Sequence, residues 1–178
     1  MNDVPARERY SGVARFLHWI IVLLVVAQFA IAWTMPEIGR GTTPTGLIAW
    51  HLSVGATILG VMLLRAVYRL SHLAPLPPTS LQPPLRFISR ATHVLLYALL
   101  VALPLLGWAN ASARGWPVRL FGVVRLPPIS ATGSPLGYQL GDVHKVMAIS
   151  LLVVIGLHVL GALYHLLIVR DDTVRRML

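Results

Sequence analysis

The chain has no cysteine among its 178 residues. This excludes disulfides, thiolate metal sites, iron–sulfur clusters and attachment of a prosthetic group through C-x-x-C-H. Acidic residues are also scarce, with six Asp and Glu against fifteen Lys and Arg and a net charge of +9. The basic residues are dispersed and form no run, so no stripe exists to track phosphates, which argues against a nucleic-acid partner. Charged residues make up only 12 % of the chain and hydrophobic ones 56 %, where a soluble domain has about 25 % charged. A soluble chain of this length could not cover so much apolar surface. The composition is that of an integral membrane protein.

The apolar residues gather into four runs without Asp, Glu, Lys or Arg: Phe16 to Met35, Leu47 to Leu64, Ala91 to Ala111, and Val146 to Val169. At 1.5 Å per residue each can cross about 30 Å of hydrocarbon. With their flanks they predict helices over about 16–35, 47–68, 88–111 and 144–169, an all-α four-helix membrane bundle in a single domain spanning 1–178. Pro104 should kink the third helix or cost it one backbone bond. The first run is too long for a signal-peptide core and lacks a small-residue cleavage site, so it reads as a retained span. Pro75, Pro77, Pro78, Pro83 and Pro84 make residues 71–85 an extended, stiff connection. Residues 112–142 form the longest connection, and Arg114, Trp116, Phe121 and Tyr138 suit it to the membrane interface. Ten Arg flank one side (Arg7, Arg9, Arg15, Arg65, Arg69, Arg86, Arg90, Arg170, Arg175, Arg176) against Arg40, Arg114, Arg119, Arg125 and Lys145 on the other. The positive-inside rule then puts both termini in the cytoplasm.

Histidine is costly in hydrocarbon unless it has a partner, yet His18, His51, His144 and His158 lie in or beside these spans. The first span runs outward and the second inward, which puts His18 near the inner face and His51 near the outer one. His93 on the third is again near the inner face. His144 opens the fourth span at its outer end. His158, fourteen residues on, is about 21 Å deeper and has almost returned to the same helix face. His165 follows on that face near the inner boundary. At the outer level His51 and His144 are the paired candidates. At the inner level His158 can pair with His18 or with His93, and depth does not choose. Gly55 and Gly161 leave room for a flat macrocycle against a helix.

A bundle with imidazoles at two depths is suited to two haems b, each iron taking one imidazole from either side. His18, His51, His144 and His158 are therefore the candidate iron ligands. Six-coordinate iron exchanges electrons without an open site for oxygen, so the expected activity is transmembrane electron transfer. His93 and His165 are candidates for a propionate or a quinone contact. Arg15 and Arg90 lie near enough to the inner level to pair propionates, whereas Arg65 and Arg69 read as topology anchors. The tryptophans Trp19, Trp33, Trp50, Trp108 and Trp116 fit an aromatic belt. Gln28 inside the first span should face protein. A metal-ion transporter stepping ions along the histidines would want intramembrane carboxylates, which the four runs lack.

Several segments together resemble the bacterial di-haem cytochrome b561 family, which is related to the b-type subunits of nickel–iron hydrogenases. They are Tyr10-Ser11 with Arg15-Phe16-Leu17-His18-Trp19, and His51-Leu52-Ser53-Val54-Gly55 leading to Arg65. His93 before Leu95-Leu96-Tyr97, Ala102-Leu103-Pro104-Leu105-Leu106-Gly107, Gly156-Leu157-His158 with His165, and the closing 169–177 complete the set. The resemblance implies a bundle in the bacterial inner membrane with His18 and His158 on an inner haem and His51 and His144 on an outer one. It leaves His93 a supporting role, and it implies a ubiquinone pocket near the inner haem where His165 is a contact. Some members are similar to superoxide oxidases, which pass an electron from external superoxide to ubiquinone. An alternative within the resemblance is a haem-carrying membrane anchor docked to a hydrogenase or dehydrogenase as its redox partner protein. Relatives that oxidise superoxide carry a lysine-rich stretch before the outer fourth-helix histidine. Here Leu140-Gly141-Asp142-Val143 stands there, so an outer anion site would rest on Lys145 with Arg114 or Arg119, beside an unfavourable Asp142.

Overall fold

The computed structural model describes residues 9–39, 41–72 and 83–178. Four long helices form it: α1 Gly12–Thr34, α2 Gly46–Ser71, α3 Pro83–Ala113 and α4 Pro135–Tyr164. All four are long and apolar enough to cross a membrane, α4 together with a π-helical turn at His165–Val169. The fold is the expected all-α membrane bundle.

The ends differ from the hydropathy reading, because capping sets a helix end and hydropathy sets a span. Ser11 Oγ accepts the amide of Ala14 and starts α1 four residues before the first apolar run. Pro83 and Pro84, expected in the extended connection, instead form the first turn of α3, where a missing N–H costs nothing. Most of the remaining proline connection lies outside the described residues. Pro104 is accommodated within one continuous α3. The largest difference is at α4. Ser134 caps it by accepting the Gly137 amide, with Pro135 at its first position. The helix thus begins nine residues before 144, and the long connection between α3 and α4 is correspondingly shorter.

That connection is not a plain interfacial segment. Arg119–Leu120 (β1) and Val124–Arg125 (β2) pair antiparallel, with Arg119 opposite Arg125. The turn bends through Phe121 at φ 48° and Gly122 at φ 76°. Buried Ser53 of α2 fastens the hairpin, donating from Oγ to the Arg119 carbonyl at 2.6 Å and accepting the Phe121 amide at 3.2 Å.

Packing runs α1 on α2, α2 on α3 and α3 on α4, whereas α4 approaches α1 and α2 only at isolated points. In lipid no hydrophobic force draws helices together, so close approach depends on small residues and polar ties. Gly137 against Ala113 and Gly141 against Asn110 serve the α3–α4 crossing. Asn110 Nδ2 also donates to the Gly137 carbonyl at 3.0 Å. The core lies between the two histidine levels. One cluster is Ile21, Val54, Ile58 and Met62, and the other is Leu99, Leu103 and Leu151.

Candidate functional site

Two imidazole pairs bridge the helices that otherwise stay apart. His51 of α2 faces His144 of α4 with ring centroids 6.2 Å apart and planes at 75°. His18 of α1 faces His158 of α4 at 6.3 Å and 73°. His93 of α3 joins the second group, 5.2 Å from His158.

Two imidazoles that share one metal atom, each through a ring nitrogen at about 2 Å, have centroids about 6 Å apart. Both pairs meet that spacing with nearly perpendicular rings, while the His93–His158 distance is shorter. Among the described residues no group of three or more His, Cys, Asp or Glu side chains is placed to hold a metal ion. Two nitrogen donors per centre, in an apolar setting and without a carboxylate, suit a haem iron whose other four ligands come from the macrocycle. The donor set and the separation of α4 from α1 and α2 fit haem b.

The His51–His144 pair has the more developed surroundings. His144 Nδ1 lies 2.9 Å from the Leu103 carbonyl, so that nitrogen carries the hydrogen and Nε2 keeps its lone pair. Gly107, one turn further along α3, makes room for the ring: a Cβ there would stand 3.2 Å from His144 Cε1 and 3.3 Å from Nδ1. Gln28 faces protein as its position required, with Nε2 at 3.1 Å from the His51 carbonyl and 3.2 Å from His51 Nε2. A small cleft is lined here by Gln28, His51, Gly55, Gly107, Val118 and His144, among others. The orphaned Gln28 Oε1 and His51 Nδ1 are both buried. A Cβ at Gly55 would stand 3.2 Å from Gln28 Nε2, so the space beside it is taken by that amide, whereas Gly161 faces open space.

At the His18–His158 level His93 donates Nδ1–H to the Ser89 carbonyl at 2.6 Å. His165 sits in the π-helical turn with Nδ1 at 2.8 Å from Asp171 Oδ2, both side chains largely buried. Asp171 Oδ1 also accepts the Thr173 amide. Burial works to raise the Asp171 carboxyl, but the Thr173 bonds and His165 outweigh it and hold it below its ordinary value. Arg170 ends the turn in the left-handed region.

The cations named from the sequence are dispersed. Arg15 Nη1 donates to the Leu178 carbonyl at 2.7 Å, and Arg90 is exposed. Lys145 pairs with Asp142 at 3.7 Å on the surface, as the acidic neighbour suggested. Arg114 instead stacks over Trp116 and Tyr138 and bonds Asn110 Oδ1. Of the tryptophans, Trp19 bonds the Met177 carbonyl and Trp108 the Pro127 carbonyl. Sequence reasoning gave Leu103, Gly107 and Ser53 no role at the site, although all three lie in the segments that carry the resemblance.

The model of the prokaryotic cytochrome b561 family matches residues 9–178. A probable superoxide oxidase CybB of Yersinia pestis is 33 % identical over 177 residues, covering 96 % of each chain. Cytochrome b561 homolog 2 of Escherichia coli K12 is 30 % identical over 185 residues, covering 100 % of this chain and 95 % of its own length. Cytochrome b561 homolog 1 of the same organism is 30 % identical over 183 residues, covering 96 % and 97 %.

Proposed function

Because this chain belongs to the prokaryotic cytochrome b561 family, we propose that it carries electrons across the bacterial inner membrane between an outer-face donor and ubiquinone, through two haems b. Membership makes it a multi-pass transmembrane b-type cytochrome that binds haem b. The number of haems, their ligands, the quinone and the orientation with both termini in the cytoplasm are what the proposal adds.

The observation that carries it is the pair of imidazole couples at 6.2 Å and 6.3 Å, both reaching α4 from a helix that barely touches it. His18 and His158 would hold the inner haem, and His51 and His144 the outer one. Each haem, when bound, would supply a one-electron carrier. The chain does the rest. The Leu103 carbonyl fixes the tautomer of His144, and Gly107 lets its ring lie flat against α3. Leu99, Leu103, Leu151 and Met62 keep water out of the layer between the levels. At the inner end Asp171 holds Nδ1 of His165, so that Nε2 can hold and release a proton as ubiquinone is reduced. His93 supports this level.

Superoxide is the first donor to test, since the Yersinia pestis relative is named a probable superoxide oxidase. Two superoxide anions would give two electrons and leave as oxygen, and ubiquinone would take these with two protons. The pairing of Lys145 with Asp142 and the stacking of Arg114 favour weak capture of that anion.

The test is a pyridine haemochrome assay with reduced-minus-oxidised spectra on the purified chain, followed by stopped-flow mixing with superoxide and a soluble ubiquinone. Two haems b per chain and quinone reduction by the chain alone are expected. One haem would overturn the pairing. Two haems that take electrons only when a dehydrogenase or hydrogenase is docked would make the chain an anchor subunit.

A further inference from the structure

Arg65 looks like one more cation marking the end of a span, but its surroundings are unlike those of the others. It lies half-buried at the inner end of α2. Its Nε donates to the Tyr97 hydroxyl of α3 at 3.0 Å and its Nη1 to the Ala14 carbonyl of α1 at 2.7 Å. Both acceptors are neutral. Among the described residues the side-chain carboxylates are Glu37, Asp142, Asp171 and Asp172, and the main-chain oxygen of Leu178 is bonded by Arg15 rather than Arg65. Asp142 pairs with Lys145, Asp171 with His165 and Asp172 with Arg175, while Glu37 stands at the opposite end of the bundle. The guanidinium is therefore held between three helices with hydrogen bonds but no counter-charge, and its Nη2 has no acceptor among the described residues. Withdrawing a charge from water without an opposite charge is costly. A site that fixes a guanidinium rigidly in this way is prepared for an anion, best a carboxylate that can take two N–H groups.

Its position names the carboxylate. Ala14 is one turn before His18 on α1, so Arg65 reaches the end of α1 that carries His18. We propose that Arg65 binds a propionate carboxylate of the inner haem, the role for which the sequence had suggested Arg15 and Arg90. Arg15 gives Nη1 to the Leu178 carbonyl and keeps a buried, unpartnered Nε, but it does not span helices as Arg65 does, and Arg90 faces outward. The inference rests on the two-haem reading above.

The test pairs a change in the protein with a change in the ligand. Full-length protein is loaded with haem b or with its dimethyl ester, which lacks the propionate charges. The inner site is read in a His51→Ala background and the outer site in a His158→Ala background. At the inner site of otherwise unchanged protein, haem b should be preferred over the ester by about tenfold, the scale of a charge-assisted bond. Arg65→Gln should bring that preference close to unity, with Arg65→Lys between, and should lower the inner haem's midpoint while the outer one stays put. A preference unchanged in Arg65→Gln would overturn the proposal and leave Arg65 a structural tie or a ligand for lipid phosphate. Should Arg65→Gln not fold, an inner-site preference no greater than the outer-site one overturns it equally. Failure of the two-haem reading is seen separately, as fewer than two haems in the unaltered chain.

Discussion

Nδ1 of His144 and the carbonyl oxygen of Leu103 stand 2.9 Å apart across the α3–α4 crossing. The bond joins the helix that carries two candidate ligands to the helix it packs against most closely. It sets which nitrogen of His144 faces α2.

Gly107→Ala probes that seat. The added methyl would stand 3.2 Å from His144 Cε1, so the ring or the helix must yield by a few tenths of an ångström. A cost of about 1–3 kcal/mol is expected, the usual range for overpacking. Haem content should fall toward one per chain, with the inner haem's spectrum unchanged. Retention of two haems with unaltered spectra would show that the ring is not held as described.

Histidine replacements separate the levels. His51→Ala or His144→Ala should leave one haem, and His18→Ala or His158→Ala should leave the other, with distinct midpoints for the two survivors. His93→Ala should keep both. Haemochrome stoichiometry reads each case, and a single-haem His93→Ala protein would reassign the inner pair.

Ser53→Ala should loosen the outer hairpin. The hydroxyl serves two backbone groups, Arg119 C=O and Phe121 N–H, and each loses a partner. The local cost is about 1–3 kcal/mol. Hydrogen exchange across residues 118–126 should speed up by roughly one order of magnitude, since about 1.4 kcal/mol is tenfold. The α1 amides should exchange as before.

Acid should release the C-terminal segment. The carboxyl of Asp171 is held below its ordinary value, so its contribution is fully present above that value and is lost as pH falls through the lowered one. Protection of residues 165–178 from proteolysis should be flat from neutral pH down to about pH 4 and decline below it. Asp171→Asn should remove the pH step. A decline that already begins near pH 6 would point to protonation of a histidine instead.

The four candidate ligands were legible because an imidazole inside an apolar run is conspicuous and the helical rise turns residue number into depth. His158 against His144 is the plainest case. The start of α4 was not legible from hydropathy, since Ser134 and Pro135 act through backbone geometry ahead of the apolar run. Nor was the hairpin, whose strands are two residues each and whose turn depends on positive φ at Phe121 and Gly122. Arg65, Arg15 and Arg90 look alike in sequence, as each is a cation beside a span. Only packing shows that one is enclosed by Tyr97 and Ala14, one reaches Leu178 and one faces outward.

The succession of contacts from α1 to α4 closes on three sides and not on the fourth. Taken as a book, α1 with α2 and α3 with α4 are the covers, the α2–α3 contact is the spine, and the fore-edge lies between α1 and α4. His18 and His158 meet at that edge. A molecule dissolved among the acyl chains would thus approach the His18–His158 pair from the side, between α1 and α4.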